Sequence, residues 1–89
     1  MTPKQRKNLI GNRVRLARGA MKQPLTQDAL SGRLAQAGCL IDRSAIAKIE
    51  TGIRGVSDLE LVAFCRVLRV TPNWLLGFDG GSKGPQEAS

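Results

Sequence analysis

Histidine is absent from the 89-residue chain, and cysteine occurs only twice, as Cys39 and Cys65. Zinc sites built on Cys and His spacings are therefore excluded, as is acid–base chemistry that relies on imidazole. In a reducing compartment two isolated thiols read as small buried hydrophobes rather than as a disulfide or a redox pair. No apolar run approaches the roughly 18 residues that a membrane helix needs. The stretch Thr2-Pro3-Lys4-Gln5-Arg6-Lys7-Asn8 has neither the apolar core nor the small-residue cleavage site of a secretory signal, so a soluble, cytoplasmic protein is expected. Also missing are a phosphate-cradling glycine loop, carboxylates paired at a useful spacing, and a nucleophile with a plausible base. Gly80 and Gly81 read as linker. The sequence thus argues against an enzyme, and neither a metal nor a cofactor is expected.

Acidic residues are scarce as well, seven against fourteen Lys and Arg, for a net charge of +7. The imbalance is not spread evenly. Residues 1–54 carry eleven Lys and Arg against only Asp28, Asp42 and Glu50, whereas residues 55–89 carry Arg66, Arg69 and Lys83 against Asp58, Glu60, Asp79 and Glu87. Positive charge gathered on one part of a small fold suits a polyanionic partner, although a basic helix face can also be merely solvated.

No segment alternates apolar and polar residues long enough for a strand, and the length allows one domain with one core. What the chain does contain is a repeated helix-start signature: an apolar residue, a capping side chain, and a second apolar residue five positions after the first. It occurs as Leu25-Thr26 with Leu30, Ile41-Asp42 with Ile46, Val56-Ser57 with Leu61, and Val70-Thr71 with Leu75. Ser57 and Glu60 add a capping box, and Pro72 suits the first helical position. An earlier helix can begin at Thr2, with Pro3 in its first turn. Gly38, Gly52 and Gly77 supply stops, so the spacing predicts helices over about 3–22, 27–37, 43–51, 58–69 and 72–76. The stripes Ile10, Val14, Ala17, Met21 and Leu61, Phe64, Cys65, Leu68 are core faces. Short connections then favour an all-α bundle within residues 1–77, followed by a polar, glycine-rich tail over 78–89 that is expected to be flexible.

The short helix at about 43–50 is singular. Arg43, Ser44, Ala47 and Lys48 share its exposed side, while Ile46 and Ile49 point inward. Arg can donate two hydrogen bonds to a guanine edge and Lys one, and small Ser and Ala allow close approach, so this face suits the major groove of DNA. An ordinary amphipathic surface helix would have the same periodicity.

The residues themselves carry more. Leu25-Thr26-Gln27, then Leu30 and Leu34, then the run Asp42-Arg43-Ser44-Ala45-Ile46-Ala47-Lys48-Ile49-Glu50-Thr51-Gly52 resemble the helix-turn-helix family of phage Cro and lambda-type repressors, the XRE family. The likeness continues through Arg54, Leu61, Leu68-Arg69-Val70 and Trp74-Leu75-Leu76-Gly77, covering about residues 9–77. It implies an all-α, five-helix lambda-repressor-like bundle that binds operator DNA as a transcriptional regulator, most often a repressor. By position, it implies base contacts from Arg43, Ser44, Ala47 and Lys48. It also implies DNA-backbone contacts from Gln27, Thr51 and Arg54, and an ion pair between Arg18 and Glu50. The connection between helices 2 and 3 is longer than in the common pattern, with Ala35 to Ile41 filling the gap. This resembles a sub-group in which helix 2 runs longer and an apolar residue tucks under the loop before Asp42, which implies that Cys39, Leu40 and Ile41 are partly buried. A second small insertion lies around Gln23 and Pro24.

A single short helix reads few base pairs, so a homodimer on a palindromic double-stranded site is expected. A protein-interaction role, as in an antitoxin or a phage-control partner, is the alternative. The tail and any apolar patch near Trp74, Leu75 and Leu76 would carry it.

Overall fold

In the computed structural model, which describes residues 6–78, four helices begin where a capping oxygen meets an otherwise orphaned backbone N–H. Thr26 accepts from Ala29 N–H at 3.0 Å ahead of Gln27–Gln36, and Asp42 accepts from Ala45 N–H at 2.8 Å ahead of Arg43–Glu50. Ser57 and Glu60 complete a reciprocal capping box ahead of Asp58–Leu68. Thr71 caps Pro72–Leu76. With Gly11–Ala20 these are α1 (Gly11–Ala20), α2 (Gln27–Gln36), α3 (Arg43–Glu50), α4 (Asp58–Leu68) and α5 (Pro72–Leu76), and no strand occurs among the described residues. None of the helices is long and apolar enough to cross a membrane.

One core joins all five. Ile10, Val14 and Ala17 meet Leu30 and Leu34 of α2, Ile46 and Ile49 of α3, Phe64 and Leu68 of α4, and Leu75 of α5. Burying each large side chain contributes about 1.5–3 kcal/mol, which makes these stripes the main driving force for a bundle this small. Helix α3 packs against α1 and α2, α4 closes over the same pair, and α5 leans on α1 and α4. Trp74 is buried. The Arg13 guanidinium lies 4.9 Å from the centre of its ring and donates to its carbonyl oxygen at 2.8 Å, tying α5 to α1. Trp74 and Leu75 therefore face inward rather than forming an exposed apolar patch.

The first helix departs from the expected 3–22. Thr2, Pro3 and Gln5 lie outside the described residues, as does the tail beyond Phe78, but residues 6–10 are not helical and α1 starts at Gly11. In this stretch one backbone donor bonds across the fold and another bonds to a local side chain. Lys7 N–H donates to Gly52 O at 2.8 Å, and the Asn8 side chain accepts from Ile10 and Gly11 N–H at 3.0 and 2.7 Å. The N-cap residue, Ile10, makes no side-chain capping bond, and it is Asn8, two residues earlier, that satisfies the first N–H groups of α1. At the other end α1 stops at Ala20, because Met21 is already extended.

The lengthened α2–α3 connection shows a second departure. Ser31 Oγ donates to Ile41 O at 2.8 Å, holding the loop on α2, and Ile41 is buried with Cys39 half-buried. Leu40, expected to share that burial, is 85% exposed. Cys39 and Ile41 on either side of it pack against the core, and the side chain between them is left outside. Burial pushes the thiols of Cys39 and Cys65 up, and at Cys39 the Glu60 carboxylate adds to this against the opposing pull of Arg54. Both shifts favour the thiol over the reactive thiolate.

Helix α4 ends without a glycine. Arg69 adopts a left-handed conformation, φ 62° and ψ 45°, and Val70 N–H closes the turn on Cys65 O. A Cβ in that region costs roughly 1–2 kcal/mol. Part of the gain from glycine is offset by its greater freedom in the unfolded chain. Arg69→Gly is therefore expected to raise unfolding stability by about 0.5 kcal/mol in denaturant titration; a loss would mean that the Arg69 side chain contributes a stabilising contact of its own.

Candidate nucleic-acid interface

Helix α3 is short, and its two ends are closed in different ways. At the amino end Asp42 caps it, leaving Arg43 and Ser44 in the first turn with their side chains exposed. At the carboxyl end Gly52, with φ of +84°, lets the chain reverse so that Gly52 N–H reaches Ile49 O and Ile53 N–H reaches Lys48 O. A Cβ at Gly52 would be strained at that φ and would meet the Arg6 guanidinium within 2.6 Å.

Ile46, Ile49 and Glu50 are buried and Ala45 is half-buried against the core, while Arg43, Ser44, Ala47 and Lys48 lie on the outer side of α3, with Thr51 following. Arg43, Ser44 and Lys48 are exposed and Ala47 is half-exposed, so all four candidate base-contacting residues lie on one face. The ion pairs found among the described residues, Arg18–Glu50 and Arg54–Glu60, leave Arg43 and Lys48 out. The result is a cationic strip with small residues between the charges, which can approach a groove wall closely.

Glu50 joins the three helices that hold this strip. Its carboxylate is buried and receives three hydrogen bonds: from Arg18 Nε at 2.8 Å, from Arg18 Nη2 at 2.9 Å and from Gln27 Nε2 at 3.0 Å. Arg18 Nη1 also donates to Leu25 O at 3.0 Å, and Leu25 N–H returns to Arg18 O at 3.1 Å, which pins the small insertion around Gln23 and Pro24. The structure therefore brings together Arg18 of α1, Gln27 at the first turn of α2 and Glu50 at the end of α3. Gln27 is half-buried, and one donor of its amide is engaged by Glu50.

Thr51 and Arg54 are placed differently from the strip. The Thr51 hydroxyl donates back to Ala47 O and Lys48 O at 3.1 and 3.2 Å, closing the last turn of α3. Arg54 is bidentate to Glu60, with Nη1 and Nη2 each 3.1 Å from a carboxylate oxygen, and Nη1 also reaches Gly55 O. The capping carboxylate of α4 thus holds the arginine of the α3–α4 loop, a link that the capping-box pattern alone does not reveal. The hydrogen bonds from Arg54 hold the Glu60 carboxyl below the usual glutamate range; burial opposes this, and the Ser57 backbone N–H adds to it.

Two contributors have no counterpart in the sequence pattern. Asn8 donates from Nδ2 to Ile49 O and Arg54 O at 3.0 and 2.8 Å, and Arg6 Nη1 lies 3.4 Å from Thr51 O. Asn is a capping residue type and Gly11 follows it by three, which is the available local signal. Lys7, at the position before it, is not apolar, so the stapled signature that marks the other four helices is missing here.

Removing one partner of a buried, hydrogen-bonded ion pair leaves the other charge uncompensated. Glu50→Gln is expected to cost about 3 kcal/mol in denaturant unfolding, a large share of the roughly 5–15 kcal/mol a small domain holds. A loss near zero would show that Arg18 and Gln27 regain equivalent partners. For Glu60, whose folded carboxyl titrates lower than the unfolded one, the linked stability is complete above the ordinary glutamate value of 4.5 and is lost as pH falls through the lowered folded value. Thermal midpoints measured from pH 6 downward (about that value and below) should fall less steeply in Glu60→Gln than in the parent, since Gln keeps the cap but does not titrate.

A helix-turn-helix family model matches residues 22–75, the span from just before α2 to α5. No curated protein and no solved structure matches the chain significantly. The match covers more than half of the chain and includes α2, α3 and the loop that carries Arg54. Together with the all-helical bundle and its exposed cationic α3, it makes this chain a member of the XRE family of helix-turn-helix proteins, whose function is of the DNA-binding regulator kind.

Proposed function

We propose that the chain is a sequence-specific double-stranded DNA-binding transcriptional regulator of the repressor kind, acting in the cytoplasm without enzymatic activity or cofactor. The observation that carries the reading is the outward face of α3, where Arg43, Ser44, Ala47 and Lys48 stand clear of the core. In this reading α3 lies in the major groove with its amino-terminal half toward the base edges, as the axis and the capped first turn allow. Arg43 donates two hydrogen bonds to a guanine, Ser44 and Lys48 make single polar contacts, and Ala47 touches a thymine methyl. Gln27, Thr51 and Arg54 approach the flanking phosphates. Because Arg54 is held by Glu60, its phosphate contact uses N–H groups left over from that pair or exchanges the carboxylate for the phosphate.

The cations of residues 6–54 supply the non-specific part of the affinity through counterion release, so binding weakens steeply with salt. Sequence choice comes from the α3 face. Two copies related by a two-fold axis would present two such helices to the halves of a palindrome about one helical turn apart, which lengthens the sequence read without adding residues.

Selection of bound sequences from a random duplex pool at two salt concentrations tests the reading directly. Enrichment of one symmetric motif is expected, and no enrichment at either salt would overturn it. On the selected site Arg43→Ala is expected to lose about 1–3 kcal/mol while random DNA is little affected. Arg54→Ala should weaken both alike and lower the salt slope by about one. Equal losses on selected and random DNA for Arg43→Ala would remove that residue from the base-reading set.

A further inference from the structure

Helix α3 is held at its carboxyl end by a segment outside the helix-turn-helix itself. Residues 6–11 cross that end, and Asn8 stands at the centre of the crossing. All four hydrogen-bonding positions of its amide are used: Nδ2 donates to Ile49 O and Arg54 O, and Oδ1 accepts from Ile10 N–H and Gly11 N–H. Lys7 N–H adds a bond to Gly52 O beside it. Gly11 sits so close that an added Cβ would overlap Ile49 O and lie 3.0 Å from Glu50 O. The start of α1 is thus in backbone contact with the end of α3, and one side chain links the two to the loop that carries Arg54.

That arrangement bears on aim. Arg43 lies six residues before Ile49, about 9 Å along the helix axis at 1.5 Å per residue. A pivot of about 10° at the carboxyl end would move Arg43 by about 1.5 Å, beyond the roughly 0.5 Å within which a recognition geometry must be held. We propose that Asn8 is a positioning residue for DNA recognition, setting the tilt of the Arg43–Lys48 face through the Ile49 and Arg54 carbonyls without touching DNA. The proposal rests on the DNA-binding reading above.

Asn8→Ser separates this role from capping. Serine can still accept from Gly11 N–H as a cap, but it is too short to reach Ile49 O and Arg54 O. Asn8→Ala, which removes both functions, and Val67→Ala, a neutral change at a half-buried α4 position, serve as comparisons. Affinities of the full chain for its selected site and for random DNA are measured well below each unfolding midpoint. Asn8→Ser is expected to lower the ratio of selected to random affinity about tenfold, with affinity for random DNA within about twofold of the parent. Val67→Ala should leave the ratio unchanged even where its unfolding midpoint falls as far. An unchanged ratio in Asn8→Ser, with the parent still selecting a sequence, overturns the proposal alone. A parent chain that selects no sequence overturns the DNA reading and the proposal with it.

Discussion

A carboxylate removed from water must find compensation within the protein, and in this fold the demand of Glu50 organises its surroundings. Three donors from two other helices converge on its oxygens. Because Arg18 comes from α1 and Gln27 from the first turn of α2, satisfying this one charge fixes the end of α3 relative to both. The apolar contacts of Ile46 and Ile49 hold α3 to the core but have no direction. The hydrogen bonds at Glu50 supply it, since donor and acceptor geometry tolerate little rotation. The same Arg18 also reaches Leu25 O, so the turn leading into α2 is held from the same point.

Charge is sorted by this arrangement. Arg18 and Arg54 are drawn to Glu50 and Glu60, while Arg43 and Lys48 are left facing outward on α3. A surface cation with no carboxylate beside it keeps its attraction for an external anion, and several together raise the local concentration of a polyanion. The scarcity of acids in residues 1–54 has a structural counterpart here. Of the three present, Asp42 caps α3 and Glu50 is buried against Arg18, and neither is ion-paired with Arg43 or Lys48.

The structural roles on either side of α3 also explain why the outward face can be so simple. Its amino end is closed by Asp42 and the Ser31–Ile41 bond, its carboxyl end by Gly52, Asn8 and Lys7. With the ends closed by other residues, the side chains of Arg43, Ser44 and Lys48 take no part in the hydrogen bonds and ion pairs found among the described residues that hold α3 in place.

Much of this was legible in the sequence. Four caps and the apolar stripes are local signals, readable because a helix satisfies its own backbone within four residues and repeats its faces every three or four. The outward set on α3 follows from the same periodicity once Ile46 and Ile49 are turned inward. The start of α1, the outward turn of Leu40, the left-handed Arg69 and the capture of Arg54 by Glu60 were not legible. Between Arg6 and Ile10 the Lys7 backbone N–H and the Asn8 side-chain amide are satisfied by the carbonyls of Gly52, Ile49 and Arg54, more than forty residues away, and a window read along the chain has no access to such partners. The sequence by itself determined that five helices form, where four of them begin, and which side chains α3 turns away from the core. Only the tertiary structure decided where α3 points, because that direction is set by long-range hydrogen bonds at Glu50 and Asn8 whose geometry exists only once the helices have packed.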